Sequence, residues 1–295
     1  MENRRRENVI VVTFTKMEGL GNNYIYIDNL TGQVPEEELP ALAKAVSDRN
    51  FGIGSDGLIC ILPPTESGHA FRFRMFNADG SEAEMCGNGM RCFARLVYDL
   101  GLTKETRFPV QTLAGTIVPE LLLDEMGRVK AVRVDMGIPR LRSSDIPMAG
   151  PERETVIDAA LELEGQRFVF TAVSMGNPHI ILFVDDVSAV DLPYWGPRLE
   201  HHSLFSQRTN VHFVQVIDRR HLHMRTWERG SGITMACGTG ACAVLVAAVL
   251  KGLAEREATV RLPGGDLDIR WQDDGHVMMT GPANYVCRGQ FLRQR

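Results

Sequence analysis

Two tetrapeptides of one form, Cys86-Gly87-Asn88-Gly89 and Cys237-Gly238-Thr239-Gly240, stand 151 residues apart. With Gly at 28 of 295 positions, chance gives Cys-Gly-x-Gly to roughly one cysteine in a hundred, so its recurrence has a cause. The match extends beyond the cysteines, which marks internal repetition. Asn77 and Glu228 each lie nine residues before their cysteine, and each cysteine opens an apolar run ending in Gly-Leu, at Gly101-Leu102 and Gly252-Leu253. Upstream, Gly21-Asn22 with Tyr24-Ile25-Tyr26-Ile27-Asp28 echoes Gly176-Asn177 with His179-Ile180-Ile181-Leu182-Phe183. The chain reads as two copies of one domain. The expected division is residues 1–130 with a C-terminal strand from about 283 to 295, and residues 131–282.

Local patterns predict what each copy contains. Alternation marks strands in Phe71-Arg72-Phe73-Arg74-Met75, in Val211-His212-Phe213-Val214-Gln215-Val216 and in Leu222-His223-Met224-Arg225-Thr226-Trp227. Pro35 to Arg49, with Leu39, Leu42, Ala43 and Val46 on one face, predicts a surface helix begun by acidic residues. Ala241-Cys242-Ala243-Val244-Leu245-Val246-Ala247-Ala248-Val249-Leu250 has no polar face, so as a helix it must be buried on every side. In a chain made mostly of strands, that means a sheet curled around a central helix. The fold class expected is α+β: two pseudo-symmetric domains, each a curled mixed β-sheet around a central apolar α-helix, with the active site in the interdomain cleft. The first copy's helix, Met90 to Leu100, carries Arg91, Arg95 and Asp99 and is expected to be less enclosed. Gly101 and Gly252 are expected as helix C-caps. Arg140 to Glu164 reads as loop or edge structure, and residues 1 to about 12 as a frayed extension entering a first strand.

Lys+Arg 32 against Asp+Glu 37 leaves a formal charge of -5, which argues against nucleic-acid or membrane-surface partners. The longest apolar stretch is about half of the ~20 residues a spanning helix needs. Arg4-Arg5-Arg6 precedes too short an apolar run for a signal peptide, so a cytoplasmic location is expected. Six reduced thiols follow, none in C-x-x-C spacing. Cys60, Cys92, Cys242 and Cys287 read as small core hydrophobes.

A glycine-flanked turn opening a helix presents unpaired N–H groups backed by the positive end of the helix dipole, and this is an anion site. A cysteine placed there has its thiolate favoured by the same field. Two such starts could grip a small carboxylate, one sulfur on each side. This suits removal of a proton beside the carboxylate and delivery of another to the opposite face. A phosphate-binding module would also use such helix starts, but the P-loop Lys and Ser/Thr are absent. Redox or metal chemistry would place the second cysteine of C-x5-C or C-x4-C inside a helix, turned away. A cysteine hydrolase with His179 as base leaves the second cysteine unexplained, and a non-catalytic amino-acid-binding protein stays open at this point.

These residues resemble the diaminopimelate epimerase family, from Phe14 to about Gly289. The motifs are Phe14-Thr15-Lys16-Met17 with Gly19-Leu20-Gly21-Asn22, Gly52-Ile53-Gly54-Ser55-Asp56-Gly57, and Phe76-Asn77-Ala78-Asp79-Gly80-Ser81 with the first Cys-Gly-x-Gly. Met175-Gly176-Asn177-Pro178-His179, Arg208-Thr209-Asn210-Val211, and Trp227-Glu228-Arg229-Gly230 with Ala236-Cys237-Gly238-Thr239-Gly240-Ala241-Cys242 complete the set.

The resemblance implies a cofactor-independent epimerase, with no pyridoxal phosphate and no metal, that interconverts LL- and meso-diaminopimelate for lysine and peptidoglycan precursors. It makes Cys86 and Cys237 the acid–base pair, and places the N–H groups of Gly87, Asn88, Gly238 and Thr239 on the carboxylate at the reacting carbon. Asn22, Asn77, Asn177 and Asn210 would bind the rest of the substrate. Arg229 would hold the distal carboxylate and Glu228 would lie near the distal ammonium. His179 and Glu228 would steady the cysteines' protonation. An amino acid racemase with a different side-chain preference is the related alternative. The family has departures here: many members carry Asp where Asn23 stands, Gln where Gly57 stands and Glu where Ile233 stands. Their absence implies a looser pocket or a differently tied loop. The resemblance also implies a homodimer, although Cys287 stands where the family usually has an aromatic residue.

Overall fold

A computed structural model describes residues 9–294, so the expected extension lies, up to residue 8, outside the described residues. The chain divides into two compact units, Met1–Val132 with Pro282–Arg295, and Arg133–Gly281.

The first unit opens with β1 (Val9–Gly19) and β2 (Asn22–Asp28), then α1 (Leu39–Ser47), β3 (Gly57–Leu62), β4 (Phe71–Asn77), the two-residue β5 (Glu82–Ala83) and α2 (Gly87–Asp99). After it come β6 (Val110–Thr112), β7 (Gly115–Ile117), β8 (Glu120–Leu123) and β9 (Val129–Asp135). The second stretch runs β10 (Val156–Leu163), β11 (Gln166–Ser174), β12 (Pro178–Phe183), α3 (Leu192–Glu200), β13 (Asn210–Asp218), β14 (His221–Glu228), β15 (Gly232–Ile233) and α4 (Gly238–Leu250). It ends with β16 (Glu257–Leu262), β17 (Gly265–Trp271), β18 (Val277–Gly281) and β19 (Asn284–Gln294).

The fold is α+β with two mixed, open sheets. One is ordered β19-β1-β2-β3-β4-β6-β7 with β5 on β4; the other is β10-β11-β12-β13-β14-β16-β17-β18-β9-β8 with β15 on β14. The first seven places of each correspond strand for strand. The central pairs β2–β3 and β12–β13 are parallel, as are β4–β6 and β14–β16. The flanking pairs β1–β2, β11–β12, β3–β4 and β13–β14 are antiparallel. Each parallel pair needs a crossover: α1 and α2 supply those of the first sheet, after β2 and β4, and α3 and α4 those of the second, after β12 and β14. The repeat read from spacing is therefore a repeat of topology. One place is filled differently: β19 returns from the end of the chain to pair with β1, where β10 precedes β11 directly in sequence.

Side-chain periodicity explains the layers. β3 (Gly-Leu-Ile-Cys-Ile-Leu) is buried along its whole length because both faces are covered. α1 turns Leu39, Leu42, Ala43 and Val46 onto Ile25, Ile27, Leu58 and Cys60. On the other face α2 sets Phe93 edge-on against Phe73, with ring centroids 5.4 Å apart. The alternate residues of β4 point outward, and Arg72 and Arg74 both pair with Glu36. That glutamate belongs to a short 3-10 turn, Glu36–Glu38, so the helix expected over Pro35 to Arg49 is a turn followed by a shorter helix. Arg140 to Glu164 contains the edge strand β10.

α4 is enclosed as its sequence requires. Gly240 to Ala248 are buried without a break, and the helix packs against β11, β12 and β13 and also against β16, β17 and β18. Val244, Leu245 and Val246 are fully buried, worth about 1.5–3 kcal/mol each relative to exposure. The N–H groups of Gly252 and Leu253 close the helix on the carbonyls of Val249 and Ala248, and Gly101 and Leu102 do the same on Tyr98 and Val97.

Two expectations fail here. The helix from Met90 to Leu100 is expected to be less enclosed than its partner, yet Gly87 to Ala94 are buried and Arg91 fully so. Its guanidinium donates to the Pro282 carbonyl at 3.0 Å and to Asn88 Oδ1 at 2.8 Å, because the returning C-terminal segment lies over it. Cys287 was expected in the core and is exposed, since it sits in β19, the edge strand paired with β1. Among the described residues, no helix is long and apolar enough to cross a membrane.

Candidate active site

Cys86 and Cys237 occupy the same place in their units. Each is the N-cap of its helix in extended conformation, with φ -137° and ψ 121° at Cys86 and φ -129° and ψ 103° at Cys237. Each follows a strand and a two-residue ribbon, β4–β5 or β14–β15, that turns the chain back toward the helix start.

Around Cys86 the sulfur meets donors. The Gly89 N–H donates to Sγ at 3.4 Å and the Tyr24 hydroxyl at 3.7 Å, while the thiol donates to Asn22 Oδ1 at 3.5 Å. Burial keeps the Tyr24 phenol well above its usual range, so it stays an O–H donor. Asn22 is itself held, its Nδ2 donating to Asp56 Oδ2 at 2.8 Å and its Oδ1 accepting from Asn88 Nδ2 at 3.3 Å. Burial pushes the Cys86 thiol up, and the Gly89 N–H, the Tyr24 hydroxyl, the Asn88 N–H and the Arg91 charge hold that rise back. A helix start alone favours thiolate; here desolvation outweighs it.

Around Cys237 the surroundings differ. Burial pushes this thiol well up, and the Glu228 carboxylate pushes it further. The sulfur lies 3.8 Å from Thr239 Oγ1. Thr239 accepts from Asn177 Nδ2 at 3.4 Å, and Asn177 Oδ1 lies 2.9 Å from His179 Nε2. His179 Nδ1 is 2.8 Å from His212 Nε2, and His212 Nδ1 is 2.8 Å from Thr226 Oγ1. The strand pleat makes this possible: Val211 and Phe213 enter the core beside α3, so His212 between them faces α4, directly across from Thr226. Gly240 lets the imidazole pass. A Cβ there would lie 2.5 Å from His212 Cε1 and 2.9 Å from the Cys237 sulfur.

Ligand atoms of His179, His212 and Cys237 lie within 4.8 Å of one another, a spacing metals use. Each neutral imidazole has one ring lone pair. His179 Nδ1 and His212 Nε2 already share a proton, so the lone pair a metal would take is engaged.

Burial lowers the pKa of both histidines, that of His179 well below its ordinary value and that of His212 to about 3. Both are therefore neutral when folded, whereas unfolded histidine titrates near about 6.5. Below that pH the unfolded chain binds more protons, so stability falls with acid, by about 1.6 kcal/mol for His212 between about pH 6.5 and 5 and in the same direction for His179. Urea midpoints measured across this range should fall for the wild type, and His212→Gln should remove about half of the part due to this pair.

The remaining predicted residues divide between the units. In the first, Asn77 closes β4 and donates from Nδ2 to the Ser81 hydroxyl at 3.0 Å. Gly87 and Asn88 form the buried first turn of α2. In the second, Gly238 and Thr239 form the half-buried first turn of α4. Asn210 is buried, its Nδ2 donating to the Pro178 carbonyl at 2.8 Å and its Oδ1 accepting the Arg229 N–H at 2.9 Å. The Arg229 guanidinium donates to the Gln207 carbonyl at 3.0 Å, and the Thr234 hydroxyl donates to the Glu228 carboxylate.

The departures from the family pattern have local explanations. A side chain at Gly57 would put Cβ 2.2 Å from the Phe76 carbonyl oxygen, so this backbone is closer than a glutamine would allow. The loop is tied instead by Asp56, which accepts from the Asn23 N–H at 2.7 Å as well as from Asn22. Ile233 is exposed, and Thr234 beside it supplies the contact to Glu228. Tyr24, Asp56, Arg91, His212 and Thr226 were missed from sequence. The alternation around His212 signals a polar group on a buried face and could have found it. Thr226 carries the same signal, on the buried face of Leu222 and Met224.

The sequence profile described as diaminopimelate epimerase matches residues 14–142 and 171–286. Proteins named diaminopimelate epimerase from Moorella thermoacetica and Geobacillus thermodenitrificans are 53% and 50% identical over 279 and 280 residues. Both alignments cover 94% of this chain, and they cover 98% and 96% of those proteins. Among solved structures, a Bacillus anthracis phenazine biosynthesis protein has a TM-score of 0.70 at 15% identity, covering 96% of this chain and 99% of its own. A hydroxyproline epimerase from Agrobacterium vitis has a TM-score of 0.67 at 15% identity, with 97% and 92% covered. These two share the fold. With the profile matched in both units and half the residues shared with full-length relatives, the chain belongs to the diaminopimelate epimerase family.

Proposed function

We propose that this chain is a diaminopimelate epimerase in which Cys86 and Cys237 are the two acid–base groups, one for each face of the reacting Cα. The observation that carries the reading is the equivalence of the two thiols, each an extended N-cap on a Cys-Gly-x-Gly helix start. The names of relatives matched over nearly their whole length supply the substrate.

One base returns a proton to the face it left; two bases invert the centre. In this reading the Cys86 thiolate takes the Cα proton while the Cys237 thiol donates its own to the opposite face, so the two exchange protonation states in each turnover. Burial raises both thiols, but at Cys86 the Gly89 N–H, the Tyr24 hydroxyl and the Arg91 charge hold the rise back whereas Glu228 adds to it at Cys237, so Cys86 is the easier of the two to ionise and takes the thiolate role. The first-turn N–H groups of Gly87, Asn88, Gly238 and Thr239 receive the substrate carboxylate and stabilise the enediolate that develops from it. Asn22, Asn77 and Asn177 line the substrate. Asn210 fixes the backbone of Arg229, whose guanidinium meets the distal carboxylate as a planar fork, with Glu228 near the distal ammonium. His179 steadies Cys237 through Asn177 and Thr239.

Purified protein incubated with LL-diaminopimelate in D2O is expected to yield the meso isomer with deuterium at one Cα. Other amino acids, proline and glutamate among them, should exchange far more slowly. Absence of exchange at any Cα would leave a binding protein, and faster turnover of an amino acid without a distal carboxylate would leave a racemase of different specificity.

A further inference from the structure

The five contacts running from Thr226 to Cys237 can be given directions. Asn177 Oδ1 can only accept, so His179 Nε2 carries the proton and His179 Nδ1 must accept. His212 Nε2 therefore donates to it, which leaves His212 Nδ1 as the acceptor of the Thr226 hydroxyl proton. At the other end Asn177 Nδ2 donates to Thr239 Oγ1, leaving the Thr239 proton for the Cys237 sulfur. All five bonds point one way. Such head-to-tail chains polarise one another, and this one delivers its last proton to sulfur.

We propose that His212, anchored by Thr226, is a positioning residue that fixes the tautomer of His179 and so aims a hydrogen-bond chain at Cys237, stabilising the thiolate left after that thiol gives up its proton. The proposal rests on the reading of Cys237 as an acid–base group. Its geometry belongs wholly to the second unit: His179, His212 and Thr226 are all at most 1% exposed. A neutral pair is required, since an imidazolium at either ring would break the sequence of donors and acceptors, and burial keeps both neutral. The charged and titratable groups facing this cluster are Glu228 at the end of β14, which raises the thiol, and Arg229 beyond it, which acts on His179. The chain is thus the counterweight to Glu228. With both present, Cys237 holds its proton at rest and still has a stabilised anion to fall back to.

The test is the pH dependence of Cys237 alkylation by iodoacetamide, followed on its own peptide by mass spectrometry, which needs no turnover. His212→Phe cannot donate to His179 Nδ1, so the alkylation midpoint should rise by about one pH unit, with kcat falling about tenfold and KM within about twofold. His212→Gln can place an amide N–H at the same point and should stay within about 0.3 unit of wild type. Thr226→Val removes the anchoring donor and should shift the midpoint upward by about half a unit, which keeps the test alive if His212→Phe does not fold. An unchanged midpoint in folded His212→Phe or Thr226→Val, or a shift in His212→Gln as large as in His212→Phe, would overturn the proposal. Shifts as expected in a protein that fails to epimerise diaminopimelate would uphold the chain and remove the functional reading instead.

Discussion

Cys86→Ala and Cys237→Ala are each expected to lower epimerisation of diaminopimelate by about 10²–10⁴-fold, the range of a positioned acid or base. The losses should be similar because inversion needs both faces served in one turnover. They should not add in the double variant, since groups acting as a unit are lost together. Substrate affinity should change little, because in the proposed reading the carboxylate is held by backbone N–H groups that an alanine leaves in place. The measurement is the rate of conversion to the meso isomer, with deuterium uptake followed in parallel. Cys60→Ala serves as the control for thiol loss as such: Cys60 is fully buried in β3 and burial pushes its thiol far above the usual range, so it has no route into the chemistry. Full activity in either single active-site variant would end the two-base reading.

Ala247→Asp should cost more than about 4 kcal/mol, a large share of the roughly 5–15 kcal/mol that holds a domain folded. Ala247 is fully buried in a helix with strands on either side and no polar face, so the carboxylate would have neither water nor a counter-ion. The variant should be largely unfolded near neutral pH. Its carboxyl pKa would be raised by desolvation, so the specific cost of the charge should shrink as pH falls from that raised value toward the unfolded-state pKa of about 3.9. Leu100→Asp makes the comparison: Leu100 is 42% exposed just beyond α2, and the same charge there should stay within about 0.5 kcal/mol of wild type. Equal urea midpoints for the two variants would mean that α4 is not enclosed in solution.

Legibility from sequence follows the range of the interaction. The helix start at each Cys-Gly-x-Gly, the enclosed α4 and the alternation of β4, β13 and β14 depend on residues within one or two turns, so local spacing carries them. The polar residues of α2 make it read as less enclosed because nothing near Arg91 in sequence shows that Pro282, 191 positions away, will cover it. Cys287 reads as a core residue for the converse reason, since only the pairing of β19 on β1 sets its exposure. Family motifs located Asn210 and Arg229, but not the backbone hydrogen bond by which the one holds the other.

By itself the sequence determined the duplication, the α+β class, the two thiols at helix starts and the family. The first three follow from periodicity and spacing, which survive in a one-dimensional string, and the family follows from the motifs shared with its members. Tertiary structure alone decided what each thiol faces: at Cys86 the Gly89 N–H, the Tyr24 hydroxyl and Asn22, and at Cys237 a carboxylate and the contacts that run through Thr239 and Asn177 to His179 and His212. The parallel pairing of β12 with β13 brings His179 to His212 across 33 residues, and Asp56 reaches Asn22 across 34. A hydrogen bond depends on distance and direction in space, and for residues this far apart only the sheet register supplies both.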